Sequence, residues 1–315
     1  MLKVDNKLLE TFEENLDPSN PTAHKIPVKV LGYGEISTTF QIGGMDELAF
    51  KRMPAFPTNI EGENYCKAVK EYCDILEAAK VCVLEYKFEQ ITNSDGENIV
   101  YIVQPRLEAE TLGNEFIKKC SDEELNVVIY KVLYSIASIW RKNKKDGPEE
   151  IVGLDAQISN WVFHKEIFNA DSMPLYLDIS TPLFRRNGKE TLNTEFFLKS
   201  MPFFLVWIVK LAFLKEILDR YYDMRSVLID ISANFIKEGQ IKRISSAIEI
   251  INRFLKNEAS DLNIEPLSRD EVLKYYQSDK FIWSFLLGCR RLDRFIKTKL
   301  LCKKYNFILP GTIKR

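Results

Sequence analysis

Short stretches of alternating hydrophobic and polar residues characterise the N-terminal third of the chain. Three of them predict strands at residues 28–34, 37–43 and 47–53, because successive side chains of a strand point to opposite faces. Gly43 and Gly44 supply a flexible backbone for a tight turn between the second and third stretches. The pattern therefore predicts a run of antiparallel strands early in the chain.

The pattern changes to a helical period over residues 60–80, where apolar side chains recur every three or four positions. Two further strands are predicted at 81–89 and 98–105. The segment between them contains Asp95 and Gly96, a pair that is typical of hairpin turns. Five strands and one helix thus predict a small, mostly antiparallel β-rich lobe.

The rest of the chain has a mainly helical pattern. A long amphipathic helix is predicted over 121–143, and Ser121 and Glu124 have the spacing of a capping box at its start. Further helices are predicted from about residue 193 to the end. The intervening stretch 160–180 predicts a short hairpin.

This order of elements predicts an α+β fold with two lobes, a small antiparallel β-lobe with one helix and a larger, mainly α-helical lobe. We place a helical N-terminal extension at 1–26, the β-rich lobe at 27–105 and the helical lobe at 106–315. The most apolar stretch, 201–218, is shorter than the roughly 20 apolar residues that span a bilayer. It predicts a buried helix and no membrane span.

Composition and charge narrow the functional class. The 315 residues are 46% hydrophobic and 28% charged, as in ordinary globular proteins. A formal net charge of -1 gives no overall attraction to nucleic acid or to a membrane. The stretch 290–315 is nevertheless strongly basic, with Asp293 as its single acidic residue. It predicts a solvated helix face, and the alternative is contact with an anionic substrate, RNA or a lipid headgroup.

The N-terminus and the cysteines indicate the compartment. Residues 1–16 carry charges throughout and lack the apolar run of a signal peptide. The six cysteines form no C-x-x-C pair, and a chain with a large core has little need of disulfides. These features predict a cytoplasmic protein with reduced thiols.

Two features of the β-rich lobe have the chemistry to hold phosphates. Gly32 and Gly34 fall at the predicted turn between the first two strands, where bare backbone can approach phosphate oxygens. An ordinary hairpin turn explains the same glycines. Lys51 lies on the third strand, within reach of α- and β-phosphates, and the alternative is a strand-end lysine that extends to water.

A phosphate-binding lysine needs an anionic partner, and the predicted helix at 60–80 offers two. Glu71 lies in the middle of this helix, twenty positions after Lys51, and Glu61 lies in its first turn. Either glutamate could instead face solvent. The sequence does not separate these alternatives.

The helical lobe supplies candidate groups for metal binding and for catalysis. Asp155 and Asn160 are five positions apart, between a helix and a strand. This spacing lets the carboxylate face an acceptor hydroxyl while the amide turns back toward a metal ion. Asp178 ends the next strand, where a carboxylate is well placed for Mg²⁺. A turn-capping aspartate bonded to Ser180 or Thr181 is the alternative.

In chain order these features resemble the protein-kinase-like superfamily, nearest the aminoglycoside phosphotransferase and choline kinase branch. GLDAQISNWVF, residues 153–163, resembles that branch's His-Gly-Asp-x-x-x-x-Asn motif and the strand after it. YLDIS, residues 176–180, resembles its metal-binding aspartate segment. The resemblance covers roughly residues 27–185.

The resemblance implies a phosphotransferase that binds ATP with Mg²⁺ and transfers a phosphoryl group to a hydroxyl of a small molecule. It implies that Lys51 contacts phosphates and that Asp155 is the catalytic base. Asn160 and Asp178 would hold Mg²⁺.

The resemblance also implies an adenine-binding hinge and leaves an alternative function open. Backbone groups of the hinge, which includes Gln104 and Arg106, would read adenine. Gly153 stands where the family has histidine or arginine, and Ser180 replaces the glycine that often follows the metal-binding aspartate. The alternative is therefore a catalytically degenerate, kinase-like scaffold or nucleotide-binding protein. The sequence has no Ala-Pro-Glu activation segment, which favours a small-molecule acceptor.

Overall fold

The computed structural model describes residues 2–34, 36–93, 95–192, 206, 214–303, 305 and 307–309. Within these residues the protein is an α+β structure. Its strands are β1 (Val28–Tyr33), β2 (Thr38–Ile42), β3 (Leu48–Arg52), β4 (Cys82–Val83), β5 (Lys87–Thr92), β6 (Asn98–Pro105), β7 (Glu150–Val152), β8 (Trp161–Val162), β9 (Leu175–Tyr176), β10 (Phe184–Arg186) and β11 (Lys189–Glu190). Its α-helices are α1 (Asn6–Glu14), α2 (Asn59–Ala78), α3 (Gly113–Lys119), α4 (Asp122–Asp146), α5 (Leu214–Asp219), α6 (Met224–Lys237), α7 (Ile244–Asn257) and α8 (Arg269–Phe295).

The N-terminal strands form one antiparallel sheet in the order β1-β2-β3-β6-β5, which confirms the predicted mostly antiparallel sheet. Burial alternates along β3, because successive side chains point to opposite faces. Phe50 and Arg52 are buried on one face, and Ala49 and Lys51 are partly exposed on the other. The alternation of residues 48–52 in the sequence predicts opposite orientations for Lys51 and Arg52, and the structure confirms them.

Helix α1 covers the face of the sheet that carries Arg52. Its Leu9 and Phe12 are fully buried in a cluster with side chains of the sheet. Glu13 is also buried, and its carboxylate accepts hydrogen bonds from Arg52 Nε at 2.8 Å and Nη2 at 2.6 Å. Tyr101 donates a further hydrogen bond to Glu13. The predicted N-terminal helix is therefore present and is packed into the sheet through a buried ion pair.

Helix α2 lies at the boundary between the N-terminal sheet and the helical region. Thr58 caps its start by accepting a hydrogen bond from Glu61 N at 3.3 Å. Its buried side chains recur every three or four positions and include Tyr65, Cys66, Val69, Tyr72, Cys73 and Leu76. These side chains belong to the same hydrophobic cluster as the core of the helical region. Helix α2 therefore links the two regions through one continuous core.

The helical region is built around α4. The predicted capping box is confirmed, since Ser121 Oγ accepts from Glu124 N and the Glu124 carboxylate accepts from Ser121 N. Helix α4 packs against α7, and α6 packs against α7 and α8. Two small three-stranded sheets, β11-β10-β7 and β4-β9-β8, flank the segment that contains Asp155.

The single strand predicted at 81–89 is wrong. The chain instead forms β4, which pairs in parallel with β9, and then enters the N-terminal sheet at β5. Leu84 N donates to Tyr176 O at 3.0 Å, so the start of this stretch is held by the helical region. Alternation alone does not show that one apolar stretch contributes strands to two different sheets.

The predicted apolar helix at 201–218 lies largely outside the described residues. Its last five positions, 214–218, belong to α5. Among the described residues, each helix is either too short or too polar to cross a bilayer.

Candidate functional site

The pairing of the first three strands aligns Gly32 with the candidate lysine. Gly32 pairs with Thr39 across β1 and β2, and Thr39 pairs with Lys51 across β2 and β3. Neighbouring strands are about 4.8 Å apart, so Gly32 lies roughly 10 Å from Lys51 along this row. Gly34 N donates to Ser37 O at 2.9 Å and closes the turn. Gly32 therefore lies within β1, level with Lys51, and not in the turn where it was predicted, whereas Gly34 is in the turn, which lies beyond the level of Arg52.

Lys51 reaches across to the segment that follows β9. Its Nζ atom donates to Asp178 Oδ1 at 2.8 Å and to Ser180 Oγ at 3.3 Å. Asp178 Oδ1 also accepts from Ser180 Oγ at 2.6 Å and from Ser180 N at 3.2 Å. Asp178 thus makes the turn-capping hydrogen bonds and also forms an ion pair with the strand lysine.

Opposing effects act on the pKa of the Asp178 carboxyl. Burial raises this pKa, whereas the charge of Lys51 and the hydrogen bonds from Lys51 and Ser180 lower it. The net result is a pKa below the usual aspartate value. The side chain remains 32% exposed, so its surroundings are only partly desolvated. Asp178 is therefore an anion at neutral pH and is accessible from outside.

Asp155 and Asn160 face each other across a short loop. Asn160 Nδ2 donates to the carbonyl oxygen of Asp155 at 3.0 Å, and Gln157 N donates to Asp155 Oδ1 at 3.3 Å. Leu177 N donates to the carbonyl oxygen of Asn160 at 2.8 Å. Because Leu177 precedes Asp178, this bond places the backbone of Asn160 next to the segment that carries Asp178. The structure therefore brings Lys51, Asp155, Asn160 and Asp178 into one region.

Two glycines let other segments pack tightly against this loop. A Cβ atom on Gly153 would lie 2.8 Å from the carbonyl oxygen of Tyr221. A Cβ atom on Gly113, at the start of α3, would lie 2.0 Å from the carbonyl oxygen of Ile158. Both distances are shorter than side chains tolerate. At Gly153 the backbone of Tyr221 thus fills the space that a side chain would need.

An asparagine of α6 anchors the middle of the loop. Asn234 Oδ1 accepts a hydrogen bond from Ile158 N at 2.6 Å, and Asn234 is 2% exposed. This role was not predicted, although Asp230 and Asn234 form a weak repeat of the Asp155 to Asn160 pattern. The signal that could have identified Asn234 is an amide within a strongly apolar helix. A buried amide needs a hydrogen-bond partner, and here the loop supplies it.

Two tyrosines of α2 lie where an anionic partner for Lys51 was expected. Tyr65 donates its hydroxyl to Ser180 O at 2.7 Å, and Tyr72 donates to Gly153 O at 3.0 Å. Burial is the main cause that raises the pKa of both phenols well above 10.0, so both remain neutral donors. They fix the backbone at Gly153, two positions before Asp155, and at Ser180, two positions after Asp178.

The comparisons with known proteins give one family match. A model of a family of unknown function, DUF6206, matches residues 13–294. The chain belongs to this family. No curated protein matches the chain. The match covers the N-terminal sheet, the loop with Asp155 and most of the helical region, so the candidate site lies within the segment that defines the family.

Neither predicted glutamate is the partner of Lys51. Glu71 Oε1 instead accepts a hydrogen bond from Arg186 Nη2 at 2.5 Å. Glu61 lies in the first turn of α2, is exposed, and its carboxylate is 3.5 Å from Thr58 Oγ1. Both glutamates lie off the buried face of α2. The partner of Lys51 is Asp178, and not a glutamate of α2 as predicted.

The predicted hinge residues have other contacts. Gln104 is buried, and its Nε2 atom donates to Leu177 O at 3.0 Å, so its side chain supports the segment that carries Asp178. Arg106 N donates to Glu47 O at 2.8 Å, and Arg106 Nε donates to Asp46 O at 2.6 Å. The Arg106 N–H is therefore engaged by the turn before β3 and does not itself contact adenine, and the predicted hinge role of the other backbone groups of residues 104–107 stays a prediction.

The candidate metal ligands are a carboxylate and an amide. Among the described residues, no three His, Cys, Asp or Glu side chains cluster in a geometry that could hold a metal ion. Mg²⁺ needs fewer protein ligands, because it keeps waters and is completed by phosphate oxygens. The oxygen donors of Asn160 and Asp178 fit this mode of binding.

A separate cavity of about 410 Å³ lies beside β7. Its lining includes Trp140, Asn143, Ile151 and Tyr222. Asn143 is already engaged, since its side chain exchanges two hydrogen bonds with the backbone of Val152. None of the predicted site residues lines this cavity, so it is separate from the candidate site around Lys51 and Asp178.

Proposed function

We propose that the protein is a kinase-like phosphotransferase that binds ATP with Mg²⁺ between a β-rich and a helical lobe. It transfers the γ-phosphoryl group to a hydroxyl of a small molecule. The observation that carries this proposal is the Lys51–Asp178 contact at 2.8 Å, with Asp155 and Asn160 beside it. One region then contains a cation for phosphates, two oxygen ligands for a metal ion and a candidate base, as phosphoryl transfer requires.

In the proposed complex Lys51 and Asp178 no longer bind each other. Lys51 binds the nucleotide, and Asp178 binds the metal ion. Phosphate oxygens would accept hydrogen bonds from Lys51 Nζ in place of the carboxylate. Asp178 would turn to Mg²⁺, together with Asn160 Oδ1, because Asn160 Nδ2 is engaged by the Asp155 carbonyl. When bound, Mg²⁺ neutralises the charge that develops on the transferred group.

Asp155 has the geometry of the group that orients the acceptor. Its backbone carbonyl is held by Asn160 Nδ2 at 3.0 Å and by the Tyr176 hydroxyl at 3.1 Å. With its main chain fixed, the half-buried carboxylate can accept the proton of a hydroxyl that attacks the γ-phosphate. Positioning is the main contribution that a protein makes to this reaction.

The short segment after Asp178 favours a small molecule as the phosphoryl acceptor. Residues 179–183 lead directly into β10, which pairs with β7 and β11. This short connection leaves little chain between Asp178 and the next sheet to form a platform for a protein substrate.

A catalytically degenerate, kinase-like nucleotide-binding protein is the second candidate. The observation that favours it is the position of Tyr65, whose hydroxyl contacts Ser180 O where an active kinase-like site would place a helix glutamate near the lysine. Such a protein would bind ATP without transferring phosphate.

A transfer assay separates the two candidates. The full chain is incubated with γ-labelled ATP and Mg²⁺, with and without a metabolite extract, and labelled products are resolved. Labelled metabolite or phosphate that disappears in Asp155→Asn but persists in Asp171→Asn supports the transferase. Asp171 is exposed and serves as the matched control. ATP binding without any labelled product supports the degenerate candidate, and absence of both rejects the proposal.

A further inference from the structure

The C-terminal half of α8 exposes a row of large apolar side chains. Phe281 is 72% exposed, Phe285 43%, Leu292 46% and Phe295 54%. They are spaced by four, seven and three positions, so they lie on one face of the helix. Leu300 and Leu301, which follow α8, are 66% and 55% exposed. We call these six residues the α8 stripe. The four residues of α8 form an exposed apolar face, and an exposed apolar face marks an interaction site.

The exposed charged side chains of residues 280–303, the stretch that carries the α8 stripe, are basic. Between residues 280 and 303 the sequence contains a single acidic residue, Asp293. Asp293 is 3% exposed, and its carboxylate is held by Lys297 Nζ at 2.7 Å. Lys280, Arg291, Lys299 and Lys303 are exposed. The exposed charges of this stretch are therefore all positive. This corrects the expectation of a uniformly solvated basic helix, since large apolar groups share the surface with the cations.

The opposite side of α8 is fixed to the protein. Leu287, Cys289 and Arg290 are buried, and α8 packs against α6. The α8 stripe is thus presented on a helix that is already ordered. A partner that binds it does not have to offset the entropy of forming the helix.

We infer that the α8 stripe docks on the surface of an anionic lipid bilayer. A helix with Phe and Leu on one face and Lys and Arg beside them lies in the plane of a membrane, with the apolar groups at the boundary of headgroups and acyl chains. The basic residues then face anionic headgroups, which attract them. The inference rests on charge complementarity and on the exposed apolar face, and it is independent of the proposed function.

The presence of apolar groups distinguishes a bilayer from nucleic acid. Binding to RNA by this stretch would depend on phosphate contacts by its basic residues. It would leave Leu292, Leu300 and Leu301 in water, because leucine offers no ring on which bases stack. A bilayer satisfies both the apolar and the basic side chains at once.

Vesicle flotation with the full chain tests the inference. Vesicles of phosphatidylcholine alone are compared with vesicles of phosphatidylcholine and phosphatidylserine, at low and at high salt. We expect flotation with the anionic vesicles and weaker flotation at high salt. Lys299→Gln combined with Lys303→Gln should reduce partitioning roughly thirtyfold, from about 1 kcal/mol for each basic residue at the surface.

A second variant tests the apolar part of the surface. Phe281→Ser combined with Phe295→Ser should abolish flotation at both salt concentrations, because it removes the groups that insert. The matched controls are Ile241→Ser, at an exposed apolar residue outside α8, and Lys145→Gln, at an exposed lysine of α4. Both controls should float like the wild type, and all variants should keep the wild-type circular dichroism spectrum.

Four results would overturn the inference. The first is wild-type protein that fails to float with anionic vesicles. The second is flotation that both α8 variants retain. The third is a concentration-dependent dimer that the phenylalanine variant dissociates, without flotation, which would assign the α8 stripe to contact between two copies. RNA binding that only the lysine variant weakens, again without flotation, would equally count against a bilayer.

Discussion

Lys51 Nζ lies 2.8 Å from Asp178 Oδ1, which connects β3 of the N-terminal sheet to the segment after β9. The two residues are 127 positions apart in the chain. Their side chains are 15% and 32% exposed, so the pair is partly shielded from water and still open to a ligand. The proposed phosphotransferase function rests on this contact more than on any single motif.

The first prediction concerns pH. The folded-state pKa of Asp178 is lowered, because Lys51 and Ser180 outweigh the opposing effect of burial. Its ionised form therefore stabilises the fold above the unfolded pKa of about 4, and this contribution is lost as pH falls through the folded pKa. We expect Asp178→Asn to lower the free energy of unfolding by about 1–2 kcal/mol at pH 7. The difference from the wild type should shrink below about pH 4.

Urea unfolding of both proteins across this pH range measures the effect. Asp171→Asn is the control, because Asp171 is exposed and should leave the free energy of unfolding unchanged at every pH. A difference between Asp178→Asn and wild type that stays constant down to the lowest pH would show that the carboxylate charge is not what stabilises this segment.

The second prediction concerns Asn234. Asn234→Ala leaves the buried N–H of Ile158 without its acceptor, which costs about 1–3 kcal/mol of stability. Because the loop between Asp155 and Asn160 then loses its anchor, its backbone amides should exchange hydrogen faster. If the protein is a phosphotransferase, kcat should fall on the order of 10²-fold while the KM for ATP changes less.

Asn252→Ala is the matched control for Asn234. Asn252 exchanges two hydrogen bonds with the backbone of Leu267, so its loss removes similar bonds at a distance from the loop. It should lower stability without speeding exchange at 155–160. Equal exchange of that loop in both variants would contradict an anchoring role for Asn234.

The third prediction concerns Gly153. A Cβ atom there meets the Tyr221 carbonyl oxygen at 2.8 Å and Tyr222 Cδ1 at 3.1 Å. Gly153→Ala should therefore destabilise the protein by about 1–3 kcal/mol through overpacking. Gly288→Ala in α8 should instead stabilise it by about 0.5–1 kcal/mol, since nothing lies within 4 Å of the added atom and alanine favours a helix. Thermal unfolding that ranks the two variants in the opposite order would refute this packing account.

The fourth prediction concerns the ion pair beneath α1. Glu13 and Arg52 are 4% and 7% exposed, and removal of one partner leaves the other charge buried. Glu13→Ala should cost about 3–5 kcal/mol. The double variant Glu13→Leu with Arg52→Met removes both charges and should recover most of this loss. A double variant as unstable as the single one, by chemical denaturation, would argue against this explanation.

Much of the fold could be predicted because its signals are local. The alternation around Lys51 and Arg52 correctly assigns them to opposite faces of a strand, and the capping box at Ser121 correctly marks the start of α4. The stretch at 81–89 was mispredicted, because a choice between two sheets depends on partners that are distant in sequence.

The site was predicted in part for the same reason. Spacing identified Asp155 and Asn160, and the end of an apolar stretch identified Asp178. Spacing could not say which carboxylate meets Lys51, because that depends on the rotation of α2, which turns Tyr65 inward and Glu71 toward Arg186. Nor could it identify Asn234, whose importance comes from a tertiary hydrogen bond.

The central claim is that Lys51 and Asp178 form one site for ATP and Mg²⁺, and isothermal titration calorimetry of ATP with the wild type tests it most directly. The account predicts saturable binding that requires Mg²⁺ and is lost in Lys51→Met. Lys29→Met, at an exposed lysine of β1, should bind like the wild type. Folded wild-type protein that takes up no ATP in the presence of Mg²⁺, or binding that survives in Lys51→Met, would contradict the account.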